Sequence, residues 1–536
     1  MRSHRFDFSR RVRFANVPRM NRWSAWLVAA FLFGVGCSPV LREPAPRLVP
    51  SDRESRWLVR CEMVRSVRND SPVPGKSSHW VWARDSQDLP VAVRGKLEDG
   101  FLVVSETPEK YDPSVRNVSF SELREICLQT IQRTRRGSFH SLGHVRAARR
   151  RERINVPLLA PRPVDEQPQV TRVVIFGDSL SDSGKLKQRL RIFPGRPYWI
   201  GRFSNGPNWA DYLERLMNVP VQNHSYGGAS VHPRSLMSGE NLITKMAEEG
   251  QFFVSGSLGL QIEDYTERFL EGGTVDHPDR TIFLFWGGAN DYLAKIPFYG
   301  TVQTLLDRPM ETGGYQTIAR RVILSKEDQI RRLYKAGARR FMVLNLPDLG
   351  ATPIVLQNSN YSGDNPNRSP TEKKIALARR LSELTRYHNR QLDISLRELR
   401  KELPEAEILT PDTAATFDSI LNDSFRFAEN AEPYDLGFDL NSQRVRLESD
   451  EGAIEVQERC FRGGYLGSPR PEDICDHSDR VVFWDTIHPT TFSHCWQAYF
   501  VASELQQAGW WEGLPDPDAH KARCLEFQAR TFAPQP

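Results

Sequence analysis

The chain has 536 residues, enough for one large domain plus extras or two to three ordinary ones. Its 39% hydrophobic and 26% charged content is that of a soluble globular protein, which excludes a multi-span membrane protein. The net charge of +5 is carried by residues 1–36, where Arg2, Arg5, Arg10, Arg11, Arg13, Arg19 and Arg22 face only Asp7; the remainder sums to about −1, so no nucleic-acid partner is expected.

The basic head runs into an uncharged stretch of about 13 residues, Ser24 to Gly36, where a membrane-spanning helix needs roughly 20. A positive start, a short apolar run and small residues at its end predict an export signal over 1–36. The ending "GVGC" resembles a bacterial lipoprotein signal. That resemblance implies lipidation of Cys37 and a membrane-anchored, periplasmic or extracellular location, although Gly34 stands where such signals usually carry a larger aliphatic residue. Residues 37–55 are Pro-rich and polar and read as a tether. Residues 56–132 read as a small α+β domain: "WLVRCEMV", "HWVWARD", "LPVAVRGKL" and "GFLVVS" as strands, "SFSELREICLQTIQR" as a helix. Residues 133–170 carry an arginine cluster followed by "APRPVDEQPQ" and read as a basic, Pro-rich linker, with attraction to anionic lipid headgroups as the functional alternative.

From residue 171 to 510 apolar strands alternate with amphipathic helices. "RVVIFGDS", "VPVQNHSYGGAS", "TIFLFWGGAND", "RRFMVLNLPD" and "AEILTPD" supply the strands, and "TEKKIALARRLSELTRYHNRQLDISLRELRKEL" is the longest helix. Strands apolar on both faces predict a doubly wound parallel α/β sheet, whose reactive groups belong at the strands' carboxyl ends. Residues 511–536 are left as a C-terminal tail. Apart from Cys37 there are six cysteines, Cys61, Cys127, Cys460, Cys475, Cys495 and Cys524; in an exported chain they permit up to three disulfides in any of fifteen full pairings. Cys460 and Cys475 are near enough in sequence to clip one loop, and Cys61 and Cys127 bracket an N-terminal segment. No Cys-x-x-Cys or His-x-x-x-His pair points to a metal, and no cofactor is expected.

The stretch "VVIFGDSLSDSG" drives a strand into Ser179. A phosphate loop fails on spacing, because six residues separate Gly177 from Gly184 and Leu186 follows Lys185. The G-x-S-x-G elbow is absent as well. A nucleophilic Ser179 needs a base, an orienting acid and N–H donors for a developing oxyanion. Candidates lie at other predicted strand ends: Gly228 in "NHSYGGASV", Asn290 in "WGGANDYL", and Asp485 with His488, three residues apart in "WDTIHPTT". His224 beside the Gly228 turn is a candidate lining residue, whereas His494 and the run Phe283, Phe285, Trp286 read as packed interior.

Taken in order, "GDSLSDSG", "GGAS", "GGAND" and "DTIHPT" resemble the signature blocks of the GDSL (SGNH) hydrolases, esterases and lipases of flavodoxin-like fold. By position, the resemblance implies Ser179 as nucleophile, His488 as base and Asp485 as its partner. It implies an oxyanion hole from the N–H groups of Ser179 and Gly228 and the side chain of Asn290. The N-terminal "LVRCEMV…HWVWARD…GFLVVS" resembles, more loosely, the extra domain of thermolabile-haemolysin-type phospholipases. This implies a lipid ester substrate of the phospholipase A or lysophospholipase kind, a membrane surface as partner, and acyl transfer in some members. A short-chain or carbohydrate O-acetyl esterase is the alternative, and a surface binding protein with a vestigial site is the alternative of another class.

Overall fold

The computed structural model describes residues 51–65, 78–98, 101–104, 120–134, 140–149, 155–159, 170, 172–190, 193–217, 219, 221–231, 257–270, 278–293, 314–357, 365–465 and 470–532. Strand β1 (Ser51–Arg65) buries Trp57, Val59, Cys61 and Met63, the period-two pattern of a strand with one inward face. It pairs antiparallel with β2 (Ser78–Trp82), with β3 (Ala92–Glu98) through its first half and with β5 (His140–Ala148) through its second. Strands β4 (Phe101–Val104) and β6 (Val156–Leu159) complete the ring β1-β3-β4-β6-β5, which closes on β1. Helix α1 (Phe120–Gln132) packs Leu123, Cys127 and Ile131, four residues apart, against this core and is bonded to it by the Cys61–Cys127 disulfide.

Two of these strands correct the expected linker over 133–170. In β5, Leu142, Val145 and Ala147 turn inward, so the segment has a strand's apolar face. Its basic residues are engaged in ion pairs: Arg146 Nη1 lies 2.8 Å from Glu214 Oε1, and His144 bridges Glu62 Oε2 (Nδ1, 2.6 Å) and Glu214 Oε2 (Nε2, 2.9 Å). The first strand likewise begins at Ser51, inside the expected tether.

The second sheet is built from β7 (Arg172–Gly177), β8 (Val221–Asn223), β9 (Thr281–Trp286), β10 (Arg340–Val343) and β11 (Glu407–Leu409), all parallel, in the order β11-β10-β9-β7-β8. This is the flavodoxin-like order, and its topological switch point lies between β7 and β9. Every residue of β7 and β9 is buried, because both faces are covered. On one face Val173, Ile175, Ile282, Leu284 and Trp286 meet α3 (Trp209–Met217) and α10 (Thr491–Gln507). On the other, Val174, Phe176, Phe283 and Phe285 meet α4 (Leu258–Tyr265), α6 (Tyr315–Lys335) and α8 (Pro370–Glu402). Ser369 opens α8 with a capping box to Glu372 and Pro370 at the first helical position.

Shorter helices fill the connections: α2 (Lys185–Leu190), α5 (Ala289–Leu293), α7 (Ile354–Gln357) and α9 (Thr413–Leu421). A hairpin of β12 (Arg444–Ser449) and β13 (Gly452–Gln457) precedes the loop clipped by Cys460–Cys475. The expected tail over 511–536 is corrected too. Trp511 and Cys524 belong to the core, and α11 (Pro517–Phe532) is bonded to α10 through Cys495–Cys524. Trp511 and Cys524, both buried, give the segment more apolar surface than a solvated tail leaves exposed.

Candidate active site

Strand β7 ends in Gly177-Asp178-Ser179, and the turn beyond it is closed by the Ser181 and Asp182 N–H groups on Asp178 O. Gly177 is needed where β7 passes β9, since a Cβ there would stand 2.6 Å from Trp286 O. The strand end is gripped by Gln261 of α4, which donates from Nε2 to Gly177 O (2.8 Å) and accepts from its N–H on Oε1 (3.0 Å). Asp182 then gathers the N–H groups of Gly184, Lys185 and Leu186 together with that of Gly227 (2.8 Å), joining the turn after β7 to the turn after β8.

The segment Val481–Thr490 folds back on itself. Trp484 N–H donates to His488 O (2.8 Å), and Thr490 N–H to Val482 O (2.9 Å). Thr490 also caps α10 through its side chain. Asp485 Oδ1 accepts the N–H groups of Ile487 (3.0 Å) and His488 (2.9 Å), the local turn that a D-x-x-H spacing allows. His488 Nδ1 lies 2.9 Å from Asp485 Oδ1 and 2.8 Å from Oδ2, while His488 Nε2 lies 2.7 Å from Ser179 Oγ. Asp485 and His488 are buried and Ser179 is half-buried, so a hydroxyl, an imidazole and a carboxylate stand in series with the hydroxyl toward solvent.

Gly228 and Asn290 lie just beyond the two strands flanking β7. Gly228 has φ 78°, the left-handed region that favours glycine. Asn290 sits in the first turn of α5, its Nδ2 donating to Ala229 O (3.0 Å), so the turns after β8 and β9 meet beside the end of β7. The structure thus brings Ser179, His488 and Asp485 into direct contact and places Gly228 and Asn290 together at the same switch point. Cys37 lies outside the described residues. The His224 ring packs 5.7 Å from Phe176 and 5.3 Å from Tyr265, centroid to centroid.

Several residues of the site escape sequence reasoning. Tyr198 OH donates to Asp485 Oδ2 (2.7 Å), Phe203 covers the His488 ring at 4.9 Å, and Asn205 Oδ1 accepts Thr491 N–H (2.8 Å). All three come from "YWIGRFSN", whose crowding of aromatics with Arg, Ser and Asn is the available signal. Lys326 is another: it is fully buried on α6, and its Nζ makes no hydrogen bond among the described residues. Its signal is a lysine on the stripe Val322, Ile323, Lys326, Ile330, Leu333.

The electrostatics follow from burial. Asp178, buried next to Ser179 in the turn after β7, is pushed up to about 6 by loss of water, against the Leu180 N–H and the charge of His488. Burial likewise pushes Lys326 down to about 8, with the charges of Asp291 and Asp178 acting the other way. For Asp485, burial alone raises the carboxyl. The charge of His488, its hydrogen bond, the Ile487 N–H and the Tyr198 hydroxyl outweigh burial and hold the carboxyl below its usual range. His388, bonded to Tyr292 OH (2.7 Å), is kept neutral by burial and then by the nearby charge of Lys326. Cys495, His520 and Cys524 converge like metal ligands, but the two sulfurs are spent in a disulfide.

A doubly wound sheet with this cluster at its switch point is the framework of a carboxylic ester hydrolase, and comparison with known proteins supports the same class. The chain belongs to the GDSL-like lipase/acylhydrolase family, whose model matches residues 173–498. Among its relatives, a phosphatidylcholine-sterol acyltransferase of Aeromonas hydrophila is 28% identical over 362 residues, 63% of this chain and 90% of that protein. A thermolabile hemolysin of Vibrio parahaemolyticus is 23% identical over 461 residues, 85% of this chain and 90% of that one, so the likeness extends beyond the region matched by the family model. A GDSL esterase/lipase of Arabidopsis thaliana is 26% identical over 353 residues, 61% of this chain and 85% of its own.

Proposed function

We propose that the protein is a lipid esterase of the phospholipase A or lysophospholipase kind, using Ser179 as nucleophile, His488 as general base and Asp485 as its orienting partner. The observation that carries this reading is the unbroken contact from Ser179 Oγ to His488 Nε2 (2.7 Å) and from His488 Nδ1 to Asp485 Oδ2 (2.8 Å). His488 takes the Ser179 proton as Oγ bonds to the ester carbonyl carbon. The carbonyl oxygen becomes an oxyanion received by the N–H groups of Ser179 and Gly228 and the Asn290 carboxamide. The imidazolium returns the proton to the departing alkoxide, which leaves as an alcohol. Water, or a second alcohol as in acyl transfer, then enters by the reverse sequence and frees the acyl group.

The lipid substrate is supported by the relatives named phosphatidylcholine-sterol acyltransferase and thermolabile hemolysin. Export and attachment to a membrane through Cys37 are part of the same proposal, and they put the enzyme beside such a substrate. Hydrolysis of p-nitrophenyl esters from acetyl to palmitoyl, and of lysophosphatidylcholine, tests it. Ser179→Ala is expected to lose at least about 10³-fold in kcat. Activity on acetyl esters alone would remove the lipid reading, and undiminished activity in Ser179→Ala would remove the nucleophile. Incorporation of labelled palmitate, lost in Cys37→Ser, tests the anchor.

A further inference from the structure

The Asp485 carboxylate has a second side-chain donor whose role the Ser179–His488–Asp485 series leaves open. Tyr198 OH donates to Oδ2 at 2.7 Å, on the same oxygen that His488 Nδ1 approaches at 2.8 Å. Among the described residues the hydroxyl and the imidazole are the two side-chain donors to this carboxylate; the Ile487 and His488 N–H groups bind Oδ1. The phenol is buried and fixed on several sides. Tyr465 stacks on it at 5.3 Å and 24°, Phe461 meets it edge-on at 5.7 Å, and Trp484 edge-on at 6.4 Å. Its backbone is tied as well, since Tyr198 N–H donates to Gly195 O (3.1 Å) and Gly195 N–H to Tyr465 O (2.7 Å).

The geometry points to Tyr198 as a positioning residue for ester hydrolysis: its hydroxyl fixes the rotation of the Asp485 carboxylate and takes up part of the charge that would otherwise be directed at His488. This inference rests on the Ser179–His488–Asp485 reading and acts only through it. Two physical effects are combined. A carboxylate held by donors on both oxygens cannot turn away from the imidazole, so the tautomer with Nε2 facing Ser179 is maintained. A donor on Oδ2 also spreads the negative charge, which moderates how strongly the imidazolium is held. Burial, and then the Asp485 charge, push the Tyr198 phenol far up from its ordinary value, so it remains a donor throughout the working range. The other titratable or charged groups interacting with this pair are Arg459, just before the clipped loop, and Tyr465 on it, with Asp178 and His494 interacting with His488.

Tyr198→Phe keeps the ring and its stacking while removing the hydroxyl. Its kcat on a p-nitrophenyl ester is expected to fall about ten- to a hundred-fold, as for loss of a hydrogen bond to a buried charge, with KM little changed. The acid limb of its kcat/KM profile is expected to move upward by a few tenths of a unit to about one unit, because the carboxylate then holds the imidazolium more strongly. In an Asp485→Asn background, Tyr198→Phe is expected to add little, the non-additivity of a residue acting through its neighbour. A fluorinated tyrosine at position 198, a stronger donor of nearly the same size, is expected to move the acid limb downward, and it reports even where the Phe variant folds poorly. A Tyr198→Phe enzyme with unchanged kcat and acid limb overturns the inference, and so does full additivity with Asp485→Asn. Should Asp485→Asn or Ser179→Ala itself retain full activity, the catalytic reading falls, a different failure from that of Tyr198 alone.

Discussion

The charged contact between the N-terminal ring and α3 makes a quantitative prediction. His144 lies between Glu62 of β1 and Glu214 of α3, and its side chain is 24% exposed. Burial pushes the imidazole down. The charge of Glu214 and the hydrogen bonds to Glu214 and Glu62 outweigh both burial and the repulsion of Arg146, and raise it from 6.5 to about 9. A folded value above the unfolded one means the protonated form is stabilised by folding. That stability is fully present below about 6.5 and is lost as pH rises through about 9. A rise of about 2.5 units corresponds to about 3 kcal/mol. Lys326 runs the opposite way: held at about 8 instead of 10.5, it costs stability at neutral pH and returns it as pH climbs from about 8 to 10.5. The wild-type curve alone therefore mixes the two effects, and the difference from His144→Gln, which never charges, separates them. Urea unfolding with the disulfides intact should show His144→Gln destabilised, with the gap to wild type about 3 kcal/mol larger at pH 6 than at pH 10. A gap that stays constant within about 0.5 kcal/mol across that range would refute the charged bridge.

Asn290→Ala is expected to lower kcat about 10²- to 10³-fold with little change in KM, measured on a p-nitrophenyl ester, as for removal of one oxyanion donor. The double variant Cys460→Ala, Cys475→Ala opens a clip across 15 residues and should cost about 3 kcal/mol in urea unfolding. Because that loop carries Phe461, stacked on Trp484, and Tyr465, stacked on Tyr198, kcat should fall as well. Full activity after opening the clip would show that the loop does not brace the site.

The sheet was legible because its central strands, β7 and β9, are buried on both faces. "VVIF" and "TIFLFW" read as buried on both faces, and the parallel order then directs attention to their carboxyl ends. Ser179, Asp485 and His488 were legible for a different reason: a short motif requires residue types, not merely apolarity. What eluded the sequence has physical causes. The β5 strand is masked by arginine and histidine whose partners lie in another element, so a composition suited to solvent is satisfied by Glu62 and Glu214. The closing helix α11 is held by a disulfide whose pairing spacing alone leaves open. Tyr198 acts through one side-chain hydrogen bond and Gln261 through a pair, both across long chain separations, and nothing in their local periodicity announces such a partner. The oxyanion role proposed for Asn290 rests on its place just beyond β9, and Asn290→Ala is its test.

The contact between Ser179 and His488 spans 309 residues of chain. A ribosome adding about 5–20 residues per second completes the hydroxyl roughly 15 to 60 s before the imidazole exists. Throughout that interval the nascent chain carries Ser179 without the His488 that contacts it, and the strand that presents it waits for α10 to cover one face of its sheet. With the roles proposed for these two residues, ester cleavage has to wait until His488 has been made, a delay set by the order of residues along the chain.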